Sequence, residues 1–111
     1  MNRIKTPENL YEYIDLMRLR IGMYLGKESI SALDHHINGY RAACAINGIA
    51  EQLSPPFEEF HDFVAREYGF PYSSRGWTTM ILSKCKRNEQ RAYHDFLRLF
   101  DLFRSMNDDK Q

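Results

Sequence analysis

The chain has 111 residues, 43% of them hydrophobic and 14% aromatic, and fifteen Lys and Arg balance fifteen Asp and Glu. That is the length of one domain, 1–111, long enough to bury a core without disulfides or metal and far too apolar for intrinsic disorder. Zero net charge lacks the basic excess of an ordinary nucleic-acid binder, so nucleic acid is not the expected partner.

Cys44 and Cys85 are the only cysteines, too few for a secreted disulfide framework, and fit reduced thiols. The first residues, through Pro7, hold no apolar leader, and the longest apolar run, residues 42–46, is short. A membrane span needs roughly 20 residues. A cytoplasmic protein with no membrane partner is expected.

The periodicity is helical along the whole chain. Thr6 can cap a first helix that starts at Pro7 and carries Leu10, Ile14, Met17 and Ile21 on one stripe. Gly22 and Gly26 bracket Met23, Tyr24 and Leu25 in a connection whose apolar side chains are expected to plug the core. Ser29 or Ser31 opens the second helix, Ser31 with Asp34 forming a variant capping box, and Asn47-Gly48 stops it. Its apolar positions are Ile30, Leu33, Ile37, Tyr40, Cys44 and Ile46.

Pro55-Pro56 starts a third helix with Phe57, Phe60, Val64 and Tyr68 on one stripe, ended by Gly69. Trp77, Met80 and Ile81 make a short fourth helix, which Ser73-Ser74 in the preceding loop can cap. Asn88 caps a fifth, whose Ala92, Tyr93, Phe96, Leu97, Leu99, Phe100 and Phe103 occupy more than half its circumference. A helix that apolar is central or offers surplus surface to a partner. The tail, residues 107–111, is expected to fray. No segment alternates like a strand, so the fold expected is all-α: a single compact orthogonal bundle of about five helices.

Few constellations carry chemistry. Phe60-His61-Asp62-Phe63-Val64 and Tyr93-His94-Asp95-Phe96-Leu97 repeat one pattern. With His35 or His36 ahead and Asp95 or Asp101 behind, His61-Asp62 can be ordered like the ligands of a metal-dependent His-Asp phosphohydrolase. Bulky Phe60 and Phe63 beside the doublet oppose that convergence, so it is an alternative only. Neither cysteine has an orienting partner for nucleophilic work, and no glycine loop is followed by Lys-Ser/Thr. No catalytic residue, metal or cofactor is expected.

Arg20-Ile21-Gly22-Met23-Tyr24-Leu25-Gly26, followed by His35-His36, resembles the RxRPGMYIG…LHH segment of type II topoisomerase ATPase domains. That family's glutamate base and magnesium-binding asparagine follow the His pair by four and eight residues, where this chain has Tyr40 and Cys44. The resemblance therefore stops short of ATPase chemistry.

A second resemblance covers nearly the whole chain. The arginine-flanked GMYLG segment, the helix Ser29-Ile30-Ser31-Ala32-Leu33 with Asn38-Gly39-Tyr40, the helix Phe60-His61-Asp62-Phe63-Val64-Ala65, Gly76-Trp77 before Met80-Ile81-Leu82, and the Phe-rich closing helix together resemble small all-helical bacterial immunity proteins. These are encoded beside polymorphic or contact-dependent inhibition toxins. The resemblance implies a non-enzymatic inhibitor that occludes a cognate protein toxin, a nuclease for example.

Charge is unevenly distributed along the chain. Between positions 51 and 67, Glu51, Glu58, Glu59, Asp62 and Glu67 stand against Arg66 alone. From Arg75 to Arg104, seven basic residues face three acidic ones. Opposite patches steer association, and nucleic-acid-cutting toxins are basic, so the five carboxylates are the expected partner-binding residues. The cluster Lys84-Cys85-Lys86-Arg87 keeps a nucleic-acid-binding helical module as a further alternative.

Overall fold

The structure is a computed structural model that describes residues 6–71 and 75–108. Its helices are α1 (Leu10–Leu19), α2 (Ile21–Tyr24), α3 (Ile30–Ile46), α4 (Phe60–Tyr68), α5 (Trp77–Lys84) and α6 (Glu89–Asp108), with a 3-10 turn at Phe57–Glu59 leading into α4. The described residues contain no strand. The all-α expectation holds: α2 is a single added turn, and the other five helices are the expected ones.

Several local expectations change. α1 starts three residues later than the Thr6-Pro7 signal, because Asn9 is its cap: Asn9 Oδ1 accepts from the Glu12 amide at 2.9 Å. The Leu10 amide donates instead to Glu51 Oε1 at 2.9 Å, a partner 41 residues away. At α3 the cap is Ser29, whose hydroxyl oxygen accepts from the Ala32 amide. Ser31 is inside the helix, and both its amide and its hydroxyl donate to Glu89, at 2.9 and 2.6 Å. The Ser29 hydroxyl also donates to Glu89, at 2.9 Å. One carboxylate from the start of α6 thus closes the positive end of α3, as an anion at a helix N-terminus should.

The expected stripes supply most of the core, with Ile46 of α3 a correction, since it is exposed. Leu10, Ile14 and Met17 of α1, Ile30, Leu33 and Ile37 of α3, and Met80 and Ile81 of α5 are buried. On α4 the buried face takes Phe60, Phe63 and Val64, with Tyr68 at its edge. Phe63 is an addition to the expected stripe. α6 is central: it packs against α3, α4 and α5, and Phe96, Phe100 and Phe103 surround the Phe60 ring at 5.4, 6.2 and 5.2 Å. Trp77 lies 5.7 Å from Phe60 and 5.0 Å from Phe96, tying α5 to α4 and α6. Edge-to-face and offset rings at such spacings add about 0.5–1.5 kcal/mol per pair beyond burial.

Met23 corrects the expectation for the GMYLG segment. It is 69% exposed, while Tyr24 and Leu25 pack against the core edge. Once residues 21–24 wind into a helical turn, consecutive side chains point about 100° apart and cannot all face inward. The tail also differs: α6 continues through Asp108, past the expected fraying point, and residues 109–111 lie outside the described residues. So does the Ser73-Ser74 cap.

Candidate functional site

The five expected carboxylates do not form one face. Glu51 is turned into the fold: besides the Leu10 amide, its carboxylate accepts a hydrogen bond from the Tyr40 hydroxyl. Burial, then that carboxylate, push the Tyr40 phenol well above its ordinary range, so it stays a neutral donor. Glu58 pairs with Arg41 of α3 at 2.8 Å, an exposed bridge. Glu58 and Glu59 belong to the 3-10 turn, Asp62 and Glu67 to α4. Asp62 and Glu67 are five residues apart, about 140° around a helix. Arg66, four residues from Asp62, shares its exposed side.

What the structure does bring together is a cleft beside the C-terminal end of α3. It has a volume of about 570 Å³ and is lined by Ala45, Ile49, Leu53 and Phe57, with Arg41, Glu51 and Glu58 as its charged members. Two of the five expected residues, Glu51 and Glu58, therefore reach it. Glu59, Asp62 and Glu67 lie outside the lining.

Above the cleft stands the end of α3. The stripe that buries Ile30, Leu33 and Ile37 continues through half-buried Tyr40 and Cys44, but no described element covers the other sides. Ala42, Ala43 and Ala45 are exposed, Ile46 is 83% exposed and Ile49 is 56% exposed. No charged residue occurs between Arg41 and Glu51. That gap was the sequence signal for this surface. An alanine-rich stretch closing on two isoleucines reads as an ordinary buried helix end, and only the fold shows that no described element packs there.

The His-Asp alternative is not assembled. Among the described residues no three His, Cys, Asp or Glu side chains converge where they could hold a metal ion. His94 reaches Glu28 at 3.1 Å, Asp101 takes a bidentate pair from Arg18, and His36 lies 3.3 Å from the Tyr13 hydroxyl. Asp95 accepts from the Tyr68 hydroxyl and from Arg98 Nε. Burial alone would raise the Asp95 carboxyl, but those two donors bring it below its ordinary range. Cys85 is buried, and burial pushes its thiol up, the opposite of an activated nucleophile.

The charge separation is partly consumed by the fold as well. Arg104 clamps Asp15 of α1 at 2.8 Å and lies over the Tyr11 and Phe100 rings, while the Lys84 ammonium lies over Tyr68 and Phe70. No described helix is long and apolar enough to cross a membrane. Comparison of the chain with protein-family models, with curated proteins and with solved structures finds no match.

Proposed function

We propose that this chain is a non-catalytic protein-binding domain that neutralises a protein toxin, and that it docks through the end of α3 and the cleft beneath it. One observation carries the reading: a charge-free helix end that keeps Ile46 and Ile49 in solvent. Apolar area left in water forgoes about 25 cal/mol per Å², and a contiguous exposed apolar patch bordered by polar groups is the usual mark of a protein interface. The toxin as partner rests on the resemblance to immunity proteins, and the geometry is compatible with it.

In this reading inhibition needs no chemistry from the inhibitor. Ile46 and Ile49 enter an apolar recess of the toxin, and Glu58, with Glu59 and Asp62 on the neighbouring segment, meets its cationic rim. The toxin's active or partner-binding surface is covered while the complex lasts. A location where such a toxin acts, the cytoplasm, belongs to the same proposal.

The test is co-expression with a toxin domain taken from the reading frame next to the one that encodes this chain. The reading expects growth to be rescued and the toxin's activity to be blocked by the purified chain in stoichiometric amounts. Rescue that needs only catalytic amounts, or no rescue while the chain is folded and abundant, would overturn it.

A further inference from the structure

A second concavity lies where α5 turns into α6. It has a volume of about 420 Å³ and is lined by Arg75, Thr79, Leu82, Ser83, Lys86 and Arg87. Among the described residues, three cations and two hydroxyls line it, with no carboxylate. Among the described residues none of the three cations has an acidic partner, whereas Arg18, Arg41, Arg98 and Arg104 all do.

The backbone supports the choice of these side chains. The turns after α2, α3 and α4 use glycine in the left-handed region, at Gly26, Gly48 and Gly69 with φ of 77°, 67° and 77°. The turn after α5 places Lys86 and Arg87 there instead, at φ 55° and 60°, the only non-glycine residues with positive φ among those described. Glycine adopts that conformation without a steric cost and Lys or Arg does not. The Arg87 amide still closes the helix end by donating to the Leu82 carbonyl at 2.8 Å. The chain thus holds two cations in the position that elsewhere it gives to glycine. Observed backbone strain of this kind points to use of the side chain.

We infer that this pocket binds a compact phosphate group: a terminal phosphate monoester or a pyrophosphate. A phosphate monoester carries about −1.5 to −2 charges at neutral pH, which three cations match, while a backbone phosphodiester carries one. Arg75 and Arg87 supply forked donors, Lys86 a point charge, and Thr79 and Ser83 hydroxyl donors. Among the described residues no aromatic side chain lines the pocket, and none there offers the stacking platform that holds the bases of single-stranded nucleic acid. This site is separate from the α3 surface, and neither proposal depends on the other.

The test titrates pyrophosphate into the full chain, following amide shifts and heat. Saturable binding is expected at submillimolar concentration, with the largest shifts at Thr79, Ser83, Lys86 and Arg87. Arg75→Gln and Lys86→Gly should each weaken it roughly tenfold or more, the value of a lost charge-assisted hydrogen bond. Both variants should melt at or above the temperature of the parent. A 5′-phosphorylated oligonucleotide should bind and its 5′-hydroxyl counterpart should not. Equal binding of the two oligonucleotides would overturn the assignment in favour of backbone recognition. No saturable pyrophosphate binding, or binding unchanged in both variants, would leave these residues as solvated cations and overturn it outright.

Discussion

Glu89 is the residue whose removal should tell most about how the α3 surface is held in place. It receives three hydrogen bonds from the N-terminus of α3, from the Ser29 hydroxyl, the Ser31 amide and the Ser31 hydroxyl. Its exposure discounts the full value of a charge-assisted bond. A lost helix cap costs about 0.5–2 kcal/mol and a lost anion at a helix N-terminus about 0.3–1 kcal/mol. Glu89→Ala should therefore destabilise by about 1.5–2 kcal/mol, a fall in melting temperature of about 5–10 °C for a domain of this size. The sign with pH is set by the hydrogen bonds of Ser31, which hold the Glu89 carboxyl below its ordinary range. A carboxylate depressed on folding stabilises above its unfolded pKa, and the contribution is lost as pH falls through the folded value. Thermal melts recorded by circular dichroism at pH 7 and 5 should show the full difference between parent and variant. At about pH 3, below the range of an ordinary glutamate, the difference should have narrowed sharply. A Ser31→Ala, Glu89→Ala cycle should give a coupling above about 0.5 kcal/mol. A variant within about 1 °C of the parent at pH 7, or a difference independent of pH, would refute the carboxylate cap.

Three further sets of substitutions or signals carry equally definite expectations. Met23→Ala should leave stability within about 0.5 kcal/mol, whereas Leu25→Ala, which strips a contact from the core edge, should cost about 1–2 kcal/mol; equal effects in chemical denaturation would contradict the placement of the α2 turn. Trp77, packed on Phe57, Phe60 and Phe96, should emit at a blue-shifted maximum in the free protein, and emission typical of a fully hydrated indole would contradict that packing. Reversing Glu58, Glu59 and Asp62 to Lys should cost little stability, because the Arg41–Glu58 bridge is exposed. If the chain binds a toxin as proposed, the reversal should slow that association and flatten its salt dependence, and unchanged stopped-flow kinetics would remove these carboxylates from the interface.

What could be read from the sequence was what depends on neighbours within a turn or two. Stripes of Leu10, Ile14 and Met17, the stop at Asn47-Gly48, the left-handed Gly69 and the Asn88 cap are all local signals. Asn88 Oδ1 does accept from the Arg91 amide, at 2.9 Å. Ser29 is one of the two caps expected for α3, whereas α1 is capped by Asn9 in place of Thr6; the partners that no local reading reaches are Glu51 at the Leu10 amide and Glu89 at Ser31. The surroundings of the acidic candidates are likewise set by distant partners. A count of charges along residues 51–67 cannot show that Glu51 hydrogen-bonds inward to Tyr40 or that Glu58 is met by Arg41. The exposed end of α3 was hidden differently, since its alanines and isoleucines carry the composition of a core, and its exposure depends on where the other helices stop.

Under the proposed function, the most direct measurement is the affinity of a cognate toxin domain for the parent protein and for Ile46→Asp, Ile49→Asp. Both positions are exposed, so the double variant should melt within about 0.5 kcal/mol of the parent. Carboxylates placed in a desolvated apolar contact lose the burial and leave unpaired charges, so affinity should fall at least a hundredfold, about 2.8 kcal/mol. Equal affinity of the two proteins for the toxin domain would contradict docking through the end of α3.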